Sequence, residues 1–189
     1  RRFYLKIIHL SNSFLVISVG DTRLACDPWI GKSSYGGWMS YPISTGSEEI
    51  LNELNLTHLF ISHIHADHVG GTNLIGKNML CEVAKTNIPV FIKNFERKDL
   101  ARRLASFGFV DIRELEAWAP TVISDDLEVT IIPCDQTNVE GIENSISYDI
   151  DTSIIIKSVA DGALFFNKVD NPMSLSMHYK VNNFIKWRF

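Results

Sequence analysis

Short apolar runs alternate with polar turns along this chain, and most of the runs have the length and β-branched content of strands. Three of these runs follow one another at the start, over residues 3–9, 14–19 and 23–26. Gly20-Asp21 separates the second run from the third and is typical of a turn. The pattern therefore predicts that the fold begins with a meander of short strands.

The middle of the chain alternates between strands and helices. Apolar runs predict strands over residues 56–61, 89–92, 111–115 and 127–133. Residues 96–107 place leucines and a phenylalanine at helical spacing, and Gly108 follows as a C-terminal cap, so we expect an amphipathic helix there. Shorter helices are predicted over residues 47–54 and 72–75. This succession of strand, helix and strand is typical of an α/β layer.

Two further strands are predicted near the end of the sequence. Residues 151–158 include a buried run of isoleucines, and residues 163–166 return after a hairpin turn at Asp161-Gly162. A helix that contains His178 is expected after this hairpin, and we do not expect His178 to bind a metal.

Three histidines and one aspartate directly follow the strand predicted at residues 56–61. His63 and His65 are two residues apart, so an extended backbone directs both to one side. Imidazoles and a carboxylate suit zinc, iron, manganese or nickel. The spacing allows two metals, with His63 and His65 on one and Asp67 and His68 on the other. A histidine-rich surface loop is the alternative, but the position at the end of a buried strand favours a metal site.

This His-x-His-x-Asp-His run resembles the metal-binding signature of the metallo-β-lactamase superfamily. The resemblance implies a mixed α/β (α+β) fold, the αββα sandwich, and hydrolysis by a metal-activated water. It implies one or two divalent metal ions, with zinc expected first and iron or manganese as alternatives. Asp170 would bridge the two metals, and Asp67 would orient the water or take its proton. A turn aspartate is the other interpretation of Asp170.

Other segments narrow the resemblance to one branch of the superfamily. They are Asp27-Pro28-Trp29, the glycine- and aromatic-rich loop at residues 31–42, Ser62 before the motif, and the runs at 151–156 and 167–170. The branch includes L-ascorbate-6-phosphate lactonase, N-acylphosphatidylethanolamine phospholipase D and CMP-N-acetylneuraminate hydroxylase types. It implies an ester, lactone or phosphoester substrate, linked to a sugar or nucleotide-sugar. The hydroxylase type would instead imply iron-dependent oxygen chemistry, and it uses an iron–sulfur centre for which this chain lacks the Cys/His pairs.

The sequence departs from the superfamily pattern at two places. No histidine occurs between His68 and His178, so the ligand that the family places after the strand at residues 127–133 is absent. Asp135 could replace it, which would favour iron or manganese, or Cys134 could, which would favour zinc. The stretch after Asp170 is also short for a sandwich half, so we expect a chain that is incomplete at its C-terminus.

Asp27 and His58 each allow two interpretations. Asp27 follows a predicted strand, and beside a metal motif it is expected to orient a ligand histidine from behind. A turn aspartate before proline is the alternative. His58 lies within an apolar strand and is expected to be packed rather than to bind metal.

Composition narrows the classes of protein. The 189 residues suffice for a single domain over 1–189, with 46% hydrophobic and 21% charged residues. The net charge of −4 argues against nucleic acid as a partner and leaves a small molecule as the expected substrate. The three cysteines, Cys26, Cys81 and Cys134, are odd in number and widely spaced, which predicts a reducing, cytoplasmic location. No apolar run is long enough to span a membrane. Oligomeric state stays open.

Two hypotheses from different classes follow. The first is a metal-dependent hydrolase with a binuclear site built from His63, His65, Asp67, His68 and Asp170. The second is a binding module of the same fold in which the altered ligand set has lost its catalysis. A nuclease is disfavoured by the acidic charge. Metal content separates the first two, because an intact motif should hold at least one metal.

Overall fold

A computed structural model describes residues 4–30, 32–33, 38–39, 53–69, 86–134 and 151–188. The strands in these ranges are β1 (Lys6–Ser11), β2 (Phe14–Val19), β3 (Thr22–Cys26), β4 (Lys32–Ser33), β5 (Trp38–Met39), β6 (His58–Phe60), β7 (Val90–Lys93), β8 (Ile112–Leu115), β9 (Thr121–Val122), β10 (Leu127–Pro133), β11 (Thr152–Ser158) and β12 (Leu164–Asn167). The helices are α1 (Ala66–Val69), α2 (Asp99–Ser106) and α3 (Leu175–Arg188).

The first sheet has six strands in the order β1-β2-β3-β6-β7-β8. The first three strands form the expected antiparallel meander. From β3 onward all neighbours are parallel, and α2 supplies the crossover between β7 and β8. Since parallel strands end at the same edge, the residues after β3 and after β6 lie side by side.

The second sheet is antiparallel, with the order β12-β11-β10-β9. Its longest pairing joins β10 to β11, from Leu127 opposite Ser158 to Pro133 opposite Thr152. In the pairing of β11 with β12, Ile154 lies opposite Asn167. The start of β11 and the end of β12 therefore lie at one edge.

The two sheets pack face to face through alternating side chains. Ile131, Ile154 and Ile156 of the second sheet share a buried cluster with Ile17 and Phe60 of the first. On the outer face of the first sheet, Leu100 and Leu104 of α2 complete another cluster. On the outer face of the second sheet, Ile132 and Ile155 pack against Met177 and Val181 of α3. These layers confirm the predicted αββα sandwich.

Several predicted boundaries move by a few residues. The first strand begins at Lys6 and extends to Ser11, and the helix expected from residue 96 begins at Asp99. The strand before the histidine motif ends at Phe60. Ile61 N still donates to the carbonyl of Phe91, but Ser62 N donates to the Asp27 side chain. The return strand ends at Asn167, so Asp170 lies in the turn beyond it.

Some expectations fall outside the described residues. They are the helices at 47–54 (apart from its last two residues) and 72–75, most of the loop at 31–42, Cys81 and Asp135. Cys26 and Cys134 are buried and unbridged. We found no described helix that combines the length and the apolar character needed to cross a bilayer.

Candidate metal centre

The candidate ligands meet where the edges of both sheets coincide. In the first sheet, Asp27 follows β3, and His63 follows the parallel neighbour β6. In the second sheet, Asp151 directly precedes β11, and Asp170 follows its antiparallel partner β12. His65 precedes α1, which carries Asp67 and His68. Strand ends that were distant in sequence are thereby brought to one place.

The histidine nitrogens lie within direct reach of one another and of the carboxylates. His63 Nε2 is 2.9 Å from His65 Nδ1, and the rings of His63 and His68 have centroids 4.0 Å apart. His68 Nε2 lies 3.0 Å from Asp170 Oδ2 and 3.7 Å from Asp67 Oδ2. The predicted set of Asp67, His68 and Asp170 is thus assembled in space.

Among the described residues, the donor atoms form two groups that share His63. One contains His63, His65 and Asp151, and the other contains His63, His68 and Asp170, with every ligand atom of a group within 4.8 Å of the rest. Neighbouring ligands at about 2.1 Å from a tetrahedral metal are about 3.4 Å apart. Several of the separations seen here are close to this value. The arrangement also puts His63 near His68, whereas the sequence-based division had assigned these histidines to different metals.

Asp151 is a candidate ligand that sequence reasoning missed. Its Oδ1 is buried, accepts no hydrogen bond within the described part of the chain, and lies 3.6 Å from His63 Nε2. A buried carboxylate oxygen without a donor is costly unless a cation meets it. The donor set therefore fits a divalent metal. The sequence did contain one signal for Asp151. The strand that follows it is predicted to form a hairpin with the strand that leads to Asp170, so the two aspartates must lie at the same edge of the sheet.

Asp27 is buried behind the histidines and contacts Ser62 twice. Its Oδ1 accepts from Ser62 N at 2.8 Å, and its Oδ2 accepts from Ser62 Oγ at 2.7 Å. The same Oδ2 lies 3.1 Å from His68 Nδ1. Asp27 also has φ +43, an unusual backbone conformation for a side chain of this kind. These are the contacts that an orienting carboxylate needs, and the orienting role remains a prediction.

Ser62 extends this network to the first histidine. Its Oγ lies 2.9 Å from His63 Nδ1, and its carbonyl accepts from Thr152 Oγ1 at 2.7 Å. The single hydroxyl proton goes to Asp27, because a carboxylate can only accept. Ser62 Oγ therefore accepts from His63 Nδ1–H, which leaves Nε2 of neutral His63 as a free lone pair facing the other ligands.

The pKa values of the two buried histidines, His63 and His68, are shifted in opposite directions by their surroundings. Burial disfavours the charged form of His68, but the hydrogen bond and charge of Asp27, with the charges of Asp67 and Asp170, outweigh it and raise its pKa to about 9. Burial and the neighbouring charge of His68 lower the pKa of His63. Without metal, His68 is thus protonated at neutral pH, and His63 is neutral.

The other residues considered in the sequence analysis differ in their exposure and in their position relative to the cluster. His65 is exposed at the mouth of the cluster, and Asp67 is half-buried. His58 lies apart, with its ring 5.9 Å from that of Phe91, and burial lowers its pKa. His178 is exposed on α3. Asp135 lies outside the described residues, so its role as a ligand stays a prediction.

A cleft of about 510 Å³ opens beside the cluster. Asp67, His68 and Asp170 line it, together with Ser13 and Lys168 among others. The volume is typical of a site for a small molecule.

No protein-family model matches this chain, and no curated protein matches it. Solved structures do. A "possible metal-dependent hydrolase" from Veillonella parvula DSM 2008 has a TM-score of 0.65 at 19% identity. The match covers 95% of this chain and 66% of that protein. Isothiocyanate hydrolase from Delia radicum gut bacteria has a TM-score of 0.69 at 14% identity, and the match covers 95% of this chain and 67% of that protein.

An oxygenase also has this fold. CmlA, a diiron β-hydroxylase from Streptomyces venezuelae, has a TM-score of 0.62 at 18% identity, and the match covers 94% of this chain and 32% of CmlA. This chain therefore spans about two thirds of the length of the two hydrolases and about one third of the length of CmlA. The likeness confirms the predicted metallo-β-lactamase-type fold. The three proteins that share it are described as a possible metal-dependent hydrolase, an isothiocyanate hydrolase and a diiron β-hydroxylase.

Proposed function

We propose that this protein is a metal-dependent hydrolase that acts on an ester, lactone or phosphoester. The observation that carries the proposal is the convergence of His63, His65, His68, Asp151 and Asp170 at one edge of both sheets, beside a cleft. Hydrolases among the proteins of similar fold support the same class. A sugar or nucleotide-sugar portion of the substrate follows only from the branch-level resemblance.

The roles follow from the contacts. His63, His65 and Asp151 would hold one divalent metal, and His68 and Asp170 would hold a second with Asp67. When bound, such metals supply Lewis acidity and lower the pKa of a coordinated water to about 7. Asp67 is half-buried at the cleft wall, where its carboxylate can orient a water or accept its proton. Asp27 and Ser62 hold the histidines in the tautomers that the ligands require.

Iron-dependent oxygen chemistry is the second candidate. Asp67, Asp151 and Asp170 make the ligand set rich in oxygen donors, which suits iron or manganese more than a set of histidines and thiolates does. The fold shared with a diiron hydroxylase favours the same alternative. Zinc would favour hydrolysis, and two irons would favour oxygen chemistry.

Metal content is the decisive measurement. Protein purified without chelator is analysed by elemental mass spectrometry as wild type, His65→Ala and the control His178→Ala, whose side chain is exposed on α3. We expect about two metals per chain in wild type and in the control, and at least one fewer in His65→Ala. Hydrolysis of nitrophenyl esters is measured on the same samples. Wild-type protein that holds no metal after reconstitution would overturn the proposal and leave a non-catalytic binding module.

A further inference from the structure

The cleft beside the candidate metal centre has a positively charged residue for which the proposed chemistry has no use. Lys168 lines the cleft and is exposed. Within the described part of the chain, Asp67 and Asp170 make their ion-pair contacts with His68, and no described carboxylate makes one with Lys168. Its charge therefore remains available to a bound molecule.

The segment that carries Lys168 is fixed to the second sheet. Ser153 Oγ donates to the carbonyl of Lys168 at 2.7 Å. Asn171, which is fully buried, donates from Nδ2 to Ser153 Oγ at 2.9 Å and to the carbonyl of Pro133 at 3.2 Å. The backbone of Lys168 thus has a defined position relative to Asp170, two residues later on the same turn. A fixed anchor lowers the entropic cost of binding a ligand.

A second segment that lines the cleft is fixed as well. Ser13, in the turn between β1 and β2, donates from Oγ to the carbonyl of Asp67 at 3.0 Å. The turn is therefore held against α1, and both Asn12 and Ser13 line the cleft. Apart from His68, Lys168 is the one cationic side chain among the described residues that line it.

We infer that Lys168 binds an anionic group of the substrate, a carboxylate or a phosphate, while the bond to be hydrolysed lies at Asp67 and Asp170. This inference rests on the proposed function and specifies its substrate class. The ammonium group offers three donors and a full charge, and it forms its strongest hydrogen bonds with anionic oxygens. The carboxylates of the cleft would be neutralised by the metals that they hold, so the charge of Lys168 would remain available to an anion there.

The test compares a neutral acyl ester with one that carries a remote carboxylate. A phosphodiester, whose charge lies on the group to be hydrolysed, reports phosphoester hydrolysis alone. Metal-loaded wild type, Lys168→Met, Lys168→Arg and the control Lys186→Met are assayed on 4-nitrophenyl acetate, on mono-4-nitrophenyl succinate and on bis(4-nitrophenyl) phosphate. Lys186 is exposed on α3 and does not line the cleft. We expect Lys168→Met to lose about ten-fold in kcat/KM on the succinate, mainly through KM, and to keep its activity on the acetate. Lys168→Arg should retain most activity, and Lys186→Met all of it.

A second measurement keeps this inference separate from the hydrolase proposal. Binding of succinate and of inorganic phosphate to the same metal-loaded proteins is followed by calorimetry. If wild type hydrolyses none of the esters, the hydrolase proposal fails, and weaker anion binding by Lys168→Met still supports the inference. Equal loss on charged and neutral esters, no loss on either, or anion binding unchanged by Lys168→Met overturns it. The anion whose binding weakens most identifies the group as carboxylate or phosphate.

Discussion

Asp27 Oδ2 lies 3.1 Å from His68 Nδ1, and both side chains are buried. On the other side of the ring, His68 Nε2 lies 3.0 Å from Asp170 Oδ2. A carboxylate behind a ligand histidine sets its orientation and raises its basicity. We therefore predict that Asp27 supports the candidate metal centre from outside the ligand set.

Asp27→Asn should weaken metal binding without removing a ligand. The amide keeps the shape of the side chain but loses the charge and one of the acceptors used by Ser62 and His68. We expect metal affinity to fall about 10- to 100-fold, measured by competition with a chromogenic chelator. Asp125→Asn, at an exposed position, is the matched control. Affinity equal to wild type in Asp27→Asn would show that Asp27 is only a turn residue.

Ser62→Ala tests the link between Asp27 and His63. Removing the hydroxyl leaves His63 Nδ1 and one oxygen of Asp27 without this partner. The free energy of unfolding of metal-free protein should fall by about 1–3 kcal/mol, because the groups left behind are buried. Urea titration measures this, and Ser106→Ala serves as an exposed control. A loss no larger than that of the control would contradict the proposed network.

The stability of the metal-free protein should depend on pH through His68. Its pKa is about 9 in the fold and 6.5 as the ordinary value. Because the folded pKa is the higher one, the stabilisation is complete below about pH 6.5 and is lost as the pH rises through about 9. The difference corresponds to at most about 3 kcal/mol. Urea titrations of chelator-treated protein across this range should show the decline in wild type and a flatter profile in His68→Gln. Parallel profiles for the two proteins would assign the decline to other groups.

Asn171→Ala should disturb the turn that carries both Lys168 and Asp170. The lost amide leaves the Pro133 carbonyl with one donor fewer in a buried region, so unfolding of metal-free protein should become easier by about 1–3 kcal/mol. Metal content should also fall, since Asp170 is no longer held against His68. Asn183→Ala, exposed on α3, is the control for both urea titration and elemental analysis. Retention of full metal content would show that Asp170 does not need this anchor.

The local parts of the site could be predicted from the sequence. His63, His65, Asp67 and His68 are close in sequence, and the apolar run before them locates them at a strand end. The pairing of Asp151 with His63 could not be obtained in this way, because it depends on how the second sheet packs against the first. The division of ligands between two metals also depends on ring positions that spacing leaves open.

The sequence by itself determined most of the order of strands and helices and the motif, because alternation and helical spacing are properties of neighbouring residues. The αββα layers followed from the family resemblance that the motif carries. Only the tertiary structure decided which distant carboxylates join the histidines. Asp27, Asp151 and Asp170 come from separate strand ends, and the register of each sheet and the packing between sheets bring them within a few ångströms. Such packing reflects the whole core at once, so no short segment encodes it.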